Sequence, residues 1–549
     1  MKKYSTLLVV VITILIVALL TWILPITYLQ GELTEAERVQ AGIFNVFSYP
    51  GFTFYNFIYV FLYLIGIGGL YGLLNKTGAY RIILDRVSNH VKGRELLCLI
   101  LTVIIIALVV SFTGFTFEAL LILPFIAGIV LLLGYDKITA LMITVGSISV
   151  GIIGTTFSKM VAGSFNDALG TTYQDLILVK AILLLVSAAI LIFNVVLHTK
   201  KIEKTKNVEE SFLVPSEVKE RNVKVWPLAT ILIVFLLVVV LSTIDWNGAF
   251  GLTFVSDWHT KIMAYQVLSR YIILAVCLLV VLYNVLTSLY KKRKNARKEK
   301  FMGKVRLIVT IVFGVFALLA LLKIMLEDVF NATNIMTKGL EKIKVTGIIE
   351  NFTFGKLIGS LQAFGNWAYN DYFAMMMIVA LIIKFTYHIK FEKMLDSIND
   401  GFKNTLYAAL VCMLAYTVLI MTSSHPVILT ALKPLLNLSD GLHILWYPIC
   451  TFVSALCNTD FTYYQYGVLN LSYATNYFTS ASIYPLVGLI TQSMYGLALL
   501  VAPTSTVLLF SLAVTEVKYT TWLKKMWLPI LEIVLAIFIT YIIVLQFLV

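Results

Sequence analysis

The chain has 549 residues, of which 60% are hydrophobic and 13% charged, with a formal net charge of +13. Its mean hydropathy of +0.92 excludes a soluble globular protein. It predicts an all-α polytopic membrane protein, because apolar runs of about 20 residues cross a bilayer as helices that satisfy their own backbone. The positive charge does not point to nucleic acid. Lys and Arg sit in short loops between apolar runs, as the positive-inside rule requires.

The first run, Ser5–Ile26 after Lys2-Lys3, is too long for a signal peptide and lacks a small-x-small cleavage site. It reads as an uncleaved first helix with its N-terminus in the cytoplasm. Phe54–Leu74 returns and delivers Lys76, Arg81, Arg86, Lys92 and Arg94 to the inner face. Two arms follow, Leu96–Thr113 and Ala119–Leu133, each at or below the length of a full span. Between them lies Gly114-Phe115-Thr116-Phe117-Glu118, which is unlike a lipid-facing helix. The reading is a re-entrant hairpin over 95–134, open to the cytoplasm, with its tip Ser111–Glu118 buried at mid-membrane.

The next apolar segment, 138–168, is broken at Gly154-Thr155-Thr156-Phe157-Ser158. Irregular backbone at that depth is tolerated only where protein or a water-filled cavity covers it. A helix over 176–197 returns to Lys200, Lys201, Lys204 and Lys206. Three further crossings, Trp226–Leu241, Tyr271–Leu289 and Arg306–Met325, flank the basic cluster Lys291–Lys300, which suits anionic headgroups. A long outer loop follows, in which Asn331 and Asn351 match glycosylation acceptors. Asp371–Thr386 and Tyr407–Met421 then cross.

The pattern then recurs. A hairpin over 444–474 has its tip at Cys457-Asn458-Thr459-Asp460-Phe461, and a second apolar segment, 483–516, is broken at Ala502-Pro503-Thr504-Ser505. A last helix, 527–548, runs outward and leaves the C-terminus external. The first hairpin opens inward and the second outward, so 1–198 and 371–549 form two repeats of inverted topology around an inter-repeat region, 199–370. The expectation is about eleven crossing helices plus two re-entrant hairpins.

Several motifs resemble the first hairpin of the ion transporter superfamily: Gly114–Glu118, Leu123-Pro124-Phe125 and Gly134-Tyr135-Asp136. Ala502–Ser505, then Trp522-Leu523-Lys524-Lys525 with Pro529, resemble the C-terminal signature of its YfcC-type carriers, as Phe391–Leu435 resembles their amphipathic helix and following span. The p-aminobenzoyl-glutamate transporters and C4-dicarboxylate carriers are relatives. The resemblance implies an elevator-type secondary carrier, a homodimer, moving organic anions, amino acids or small peptides with Na⁺ or H⁺. Where that branch carries Asn-Pro-Phe in the first break, this chain has Thr155-Thr156-Phe157. Ahead of the second break it has Met494-Tyr495-Gly496 and Leu499 in place of Gly-Asp-Gly and Asn.

Half-helix N-termini present unpaired N–H groups and C-termini present carbonyls, so four such ends meeting at mid-membrane can hold a carboxylate and a cation. Ser111, Thr113, Gly114, Thr116, Glu118, Thr155, Thr156, Asn458, Thr459, Asp460, Pro503, Thr504 and Ser505 form the candidate substrate site. A Ser or Thr in a membrane helix also commonly bonds its own backbone or a neighbouring helix. Lys159, one residue past the first break, is expected to pair with Glu118 and occupy the place of a coupling cation, or else to snorkel to water. Asp460 is expected to carry a proton, bind a cationic group of the substrate, or cap the returning arm. His425 reads as an exposed loop residue rather than a gate.

The aromatic stretch Phe461–Tyr484 suits either a substrate stack or an interfacial belt. Cys98, Cys277, Cys412, Cys450 and Cys457 have no paired spacing and read as small core residues, not metal ligands. No phosphate-cradling loop or catalytic constellation occurs, so neither an enzyme nor an ATP-driven pump is expected. The expected partners are a small-molecule substrate and the lipid bilayer, with no cofactor beyond a coupling Na⁺ or H⁺. The expectation is a secondary carrier of an amino acid, short peptide or dicarboxylate in the cell membrane, coupled to protons or exchange, with Na⁺ symport as the alternative and a channel or membrane enzyme as the other classes.

Overall fold

The structure is a computed structural model describing residues 4–30, 32–36, 40–204, 210–216, 223–264, 269–292, 300–325, 358–436, 438, 443, 445–458, 460–461, 463–464 and 481–548. Nine helices among the described residues are long and apolar enough to cross a membrane. Eight fall on crossings expected from hydropathy. The ninth is the first hairpin arm, which runs over 19 residues. The chain divides into two compact units, Met1–Leu252 with Phe364–Val549, and Thr253–Ala363.

The larger unit opens with α1 (Ser5–Ile23), a strand pair β1 (Ile26–Gln30) and β2 (Glu32–Ala36), antiparallel and not foreseen, and α2 (Ile43–Thr77). α2 begins well before the expected Phe54, and it bends at Phe57, whose φ and ψ are not helical. A short α3 (Ala79–Val91) then lies ahead of the first hairpin. Its outgoing arm, α4 (Glu95–Thr113), ends where Gly114 takes the left-handed conformation, φ 73°, and donates its N–H to Val110 O. The returning arm is α5 (Leu123–Leu132).

The first broken helix has α6 (Lys137–Leu141) and α7 (Ser147–Ile153) before the break and α8 (Ser164–Leu169) after it. Wide turns at Met142–Gly146 and Lys159–Gly163 complete it. α9 (Ile177–Lys200) and α10 (Trp226–Thr243) follow. Beyond the smaller unit come α14 (Tyr369–Thr386), α15 (Phe391–Ser424) and α16 (Val427–Leu436). The second hairpin arm is α17 (Trp446–Cys457), the second broken helix is α18 (Tyr484–Val501) with α19 (Thr506–Thr515), and α20 (Tyr519–Leu548) is last. Most of the returning arm of the second hairpin lies outside the described residues, as do Thr459, Asn331 and Asn351.

The smaller unit holds α11 (Phe254–Ala264), α12 (Ser269–Lys292) and α13 (Lys300–Ile324), of which α12 and α13 pack against each other.

The frame of the larger unit is the crossing of α2 and α15, the two longest helices. The amphipathic stretch from Phe391 and the span expected at Tyr407 are one continuous helix of 34 residues. At the crossing a Cβ on Gly401 would collide with Gly68 O, and one on Gly72 with Ser397 O. Small residues let two membrane helices approach to backbone contact, where dispersion and close packing act without help from a hydrophobic effect. His425, at the end of α15, is buried at 5% exposure and its Nε2 is 2.7 Å from the Tyr49 hydroxyl on α2. That corrects its reading as an exposed loop residue: the second half of α15 runs far enough to carry it back under α2.

Candidate functional site

The first hairpin tip and the first break are sewn together by the backbone groups each leaves unpaired. Breaking a helix inside an apolar layer orphans N–H groups that must find acceptors in protein. Here Ser111 O, in the last turn of α4, accepts from Thr156 N (2.9 Å) and Phe157 N (3.3 Å). It also accepts from the hydroxyls of Thr155 (3.1 Å) and Thr156 (3.3 Å). Ser111 Oγ in turn donates to Gly154 O at 2.8 Å. Ser158 then caps the second half-helix by accepting from Val161 N at 3.1 Å. Gly114 is required where it stands, since its φ is positive and a Cβ there would strike Ser158 Oγ.

The second half repeats the arrangement. Thr504 Oγ1 donates to Leu456 O of α17 at 2.7 Å. Ser505 accepts from Leu508 N at 3.3 Å and donates to Leu499 O at 3.0 Å. Pro503 has no N–H to continue the helix. Asn458 ends α17 in extended conformation, with its N–H on Ser454 O. α18 meets the first break directly. Gln492 Nε2 donates to Thr155 O at 3.3 Å, and Ser149 Oγ of α7 to Gly496 O at 2.6 Å. Sequence reasoning did not single out Gln492 or Ser149. An amide inside an otherwise apolar run was the available signal for Gln492.

Thr113 serves its own tip, donating to Val109 O (2.7 Å) and accepting from Phe115 N (3.1 Å). Thr116 and Glu118 are each 7% exposed. The Glu118 carboxylate lies against the backbone amides of its own tip, at Thr116 and Glu118. The expected pairing with Lys159 does not occur. Lys159 Nζ donates instead to Asn366 Oδ1 (2.5 Å) and Gly365 O (3.1 Å), with an exposed side chain. The wide turn that opens the second half-helix aims it at the 364–368 segment and away from the tip.

Glu118 and Asp460 do share neighbours. Both carboxylates lie close enough to Tyr369 and to Tyr495 to act on them electrostatically. Tyr63 and Tyr372 feel Glu118, and Tyr59 and Tyr416 feel Asp460. This tyrosine lining, drawn from α2, α14, α15 and α18, has no short motif and was not anticipated. Two α2 tyrosines also hold the first tip by its backbone: Tyr63 OH donates to Phe117 O (3.2 Å) and Tyr71 OH to Leu121 O (2.7 Å). No group of three or more His, Cys, Asp or Glu that could hold a metal ion occurs among the described residues.

Outside this region, Asp136 caps α6 through Thr139 N at 2.8 Å and accepts from His198 of α9 at 3.2 Å. Burial alone would raise its pKa, but the hydrogen bonds from His198 and Thr139 outweigh that and hold the carboxyl below its usual value.

Residues 4–356 match the model of a family described as C4-dicarboxylate anaerobic carrier. A protein of Haemophilus influenzae described as uncharacterized is 23% identical over 165 residues, 30% of this chain and 32% of that protein. The chain thus spans about a third of the length of that curated relative. No solved structure matches.

Proposed function

The chain belongs to the C4-dicarboxylate anaerobic carrier family, and from that premise we propose that it moves a small carboxylate-bearing metabolite across the cytoplasmic membrane by an elevator mechanism, coupled to protons or exchange. It is a multi-pass membrane carrier and not an enzyme. The observation that carries the proposal is the paired construction of the two breaks. In each, a Thr hydroxyl donates to a carbonyl near the end of the preceding hairpin arm, and a Ser caps the half-helix that resumes.

An inverted repeat accounts for the spacing of these elements. Lys137 and Tyr484 open the first half-helices, and Lys159 and Thr506 open the helical segments that follow the breaks. Each pair, like the caps Ser158 and Ser505, is 347 residues apart (158 to 505). Ser149 and Gly496 have the same separation and are bonded to each other. Two equivalent positions touch in this way only beside a pseudo-two-fold axis. Helix ends gathered around such an axis are where carriers of this architecture hold substrate. The narrower resemblance to YfcC-type carriers and the homodimer belong to the same reading, carried by the hairpin and C-terminal motifs.

Proton coupling or exchange is favoured over Na⁺ because Met494-Tyr495-Gly496 and Leu499 stand where the resembling branch carries Gly-Asp-Gly and Asn, so oxygen ligands suited to a cation are missing there. Glu118, an ionisable group at membrane depth, is the candidate proton carrier, and Asp460 shares its neighbours Tyr369 and Tyr495. Lys159, bound to Asn366, leaves the coupling set. The test is uptake into proteoliposomes under an imposed proton gradient, a Na⁺ gradient, or internal unlabelled substrate. Saturable flux driven by protons or exchange is expected. Flux that requires Na⁺ would overturn the coupling, and the absence of saturable flux under every condition would overturn the carrier.

A further inference from the structure

The two hairpin tips each carry a carboxylate next to aromatic rings, and neither hairpin carries a Lys or Arg near its tip. No Lys or Arg occurs between Glu95 and Asp136, nor between Pro434 and Val517. Neither hairpin and no part of the second broken helix before Lys518 can therefore offer a cation. Lys159 is turned toward Asn366, and Lys180 sits in α9 beside Asp175. Glu118 is buried and makes no ion pair among the described residues, a costly arrangement at membrane depth unless a positive charge arrives.

Rings flank both tips. Tyr369 stacks on Tyr59 with centroids 6.0 Å apart, and lies 5.7 Å from Tyr63 and 5.4 Å from Phe117, the neighbour of Glu118. On the other side Tyr495 stacks on Tyr464 at 5.4 Å and meets the edge of Phe461, the neighbour of Asp460, at 5.0 Å. The Tyr416 hydroxyl is fully buried without a hydrogen-bond partner among the described residues, against Phe57 at 4.6 Å. Aromatic faces and a carboxylate together attract a desolvated organic cation. A proton would neutralise Glu118 but has no use for ring faces. A Na⁺ ion seeks oxygen lone pairs, which ring faces do not offer.

We propose that this ring-lined region beside Glu118 is an ammonium subsite, so that the transported molecule carries a protonated amine as well as a carboxylate. The amine lies between Glu118 and the faces of Tyr369 and Tyr495, and the carboxylate lies at the half-helix ends capped by Ser158 and Ser505. A dicarboxylate without an amine meets a field of its own sign there. The subsite rests on the carrier reading and narrows its substrate.

The test uses the full-length protein in proteoliposomes and compares matched pairs by counterflow: L-aspartate against succinate, and L-alanine against propionate. Each pair shares a carbon skeleton and differs by the amine. The expected result is half-saturation at least tenfold lower for the amine-bearing member of one pair, with that preference erased in Tyr369→Leu and in Glu118→Gln and retained in Tyr369→Phe. Monodisperse elution in detergent shows that each variant is folded. Equal or better handling of both deaminated partners, or a preference that survives Glu118→Gln, overturns the subsite alone. Flux of none of the four compounds overturns the carrier reading and the subsite with it.

Discussion

Ser158 and Ser505 perform the same task 347 residues apart. Each takes an extended backbone conformation, ends a non-helical break, and accepts an N–H three residues on. Replacing either by Ala removes the acceptor for a donor inside the apolar layer, at a cost of about 1 kcal/mol. The expected result for Ser158→Ala is a lower melting temperature of the detergent-purified protein, with a smaller loss for Ser158→Thr. Equal melting of Ser158→Ala and the parent would show that the cap is dispensable. Lys159 makes the contrasting case. Its ammonium is exposed and bound to Asn366 and Gly365, so Lys159→Met should leave the ion coupling of transport unchanged, read as the ratio of proton-driven to exchange-driven flux. A change in that ratio would restore Lys159 to the coupling set. The sequence put Lys159 next to the first break but could not say which way a wide turn would aim it.

The two broken helices were legible because Gly-Thr-Thr and Ala-Pro-Thr-Ser interrupt long apolar runs, and such interruptions are conspicuous against uniform hydropathy. α15 was not legible as one helix. Its first turns, Phe391–Lys403, are polar enough to lie outside a membrane, and hydropathy has no signal that joins a wet half to an apolar one. The tyrosine lining was hidden for another reason: its members come from four helices, and only packing brings them together. At the same scale, α6 depends on its cap. Asp136 has a folded pKa held below its unfolded value, so its contribution to stability is present above about pH 4 and lost as pH falls through the folded value. Acidification of the purified protein from pH 7 through that range should therefore lower its melting temperature more than that of Asp136→Asn. An identical acid response in the two proteins would remove Asp136 as a contributor.

At the scale of the whole molecule, the proposed elevator cycle would have the hairpins and broken helices slide past α2 and α15. In the present arrangement Tyr63 and Tyr71 of α2 grip the first tip through Phe117 O and Leu121 O. In that proposed cycle those two hydrogen bonds would favour one side and be released for the other. A buried neutral hydrogen bond contributes about 1 kcal/mol, so removing one hydroxyl shifts a two-state equilibrium by about fivefold. Tyr71→Phe is the cleaner variant, because its ring still packs on Tyr80 at 5.7 Å and it lies about two helical turns from Tyr63. Its expected effect is a change of several-fold in exchange rate at saturating substrate, with KM moved by no more than the population shift requires. If rate and KM are both those of the parent, α2 does not bear on the moving part and the tip is anchored to it throughout. A rise in KM alone would place Tyr71 in substrate binding rather than in the sliding interface.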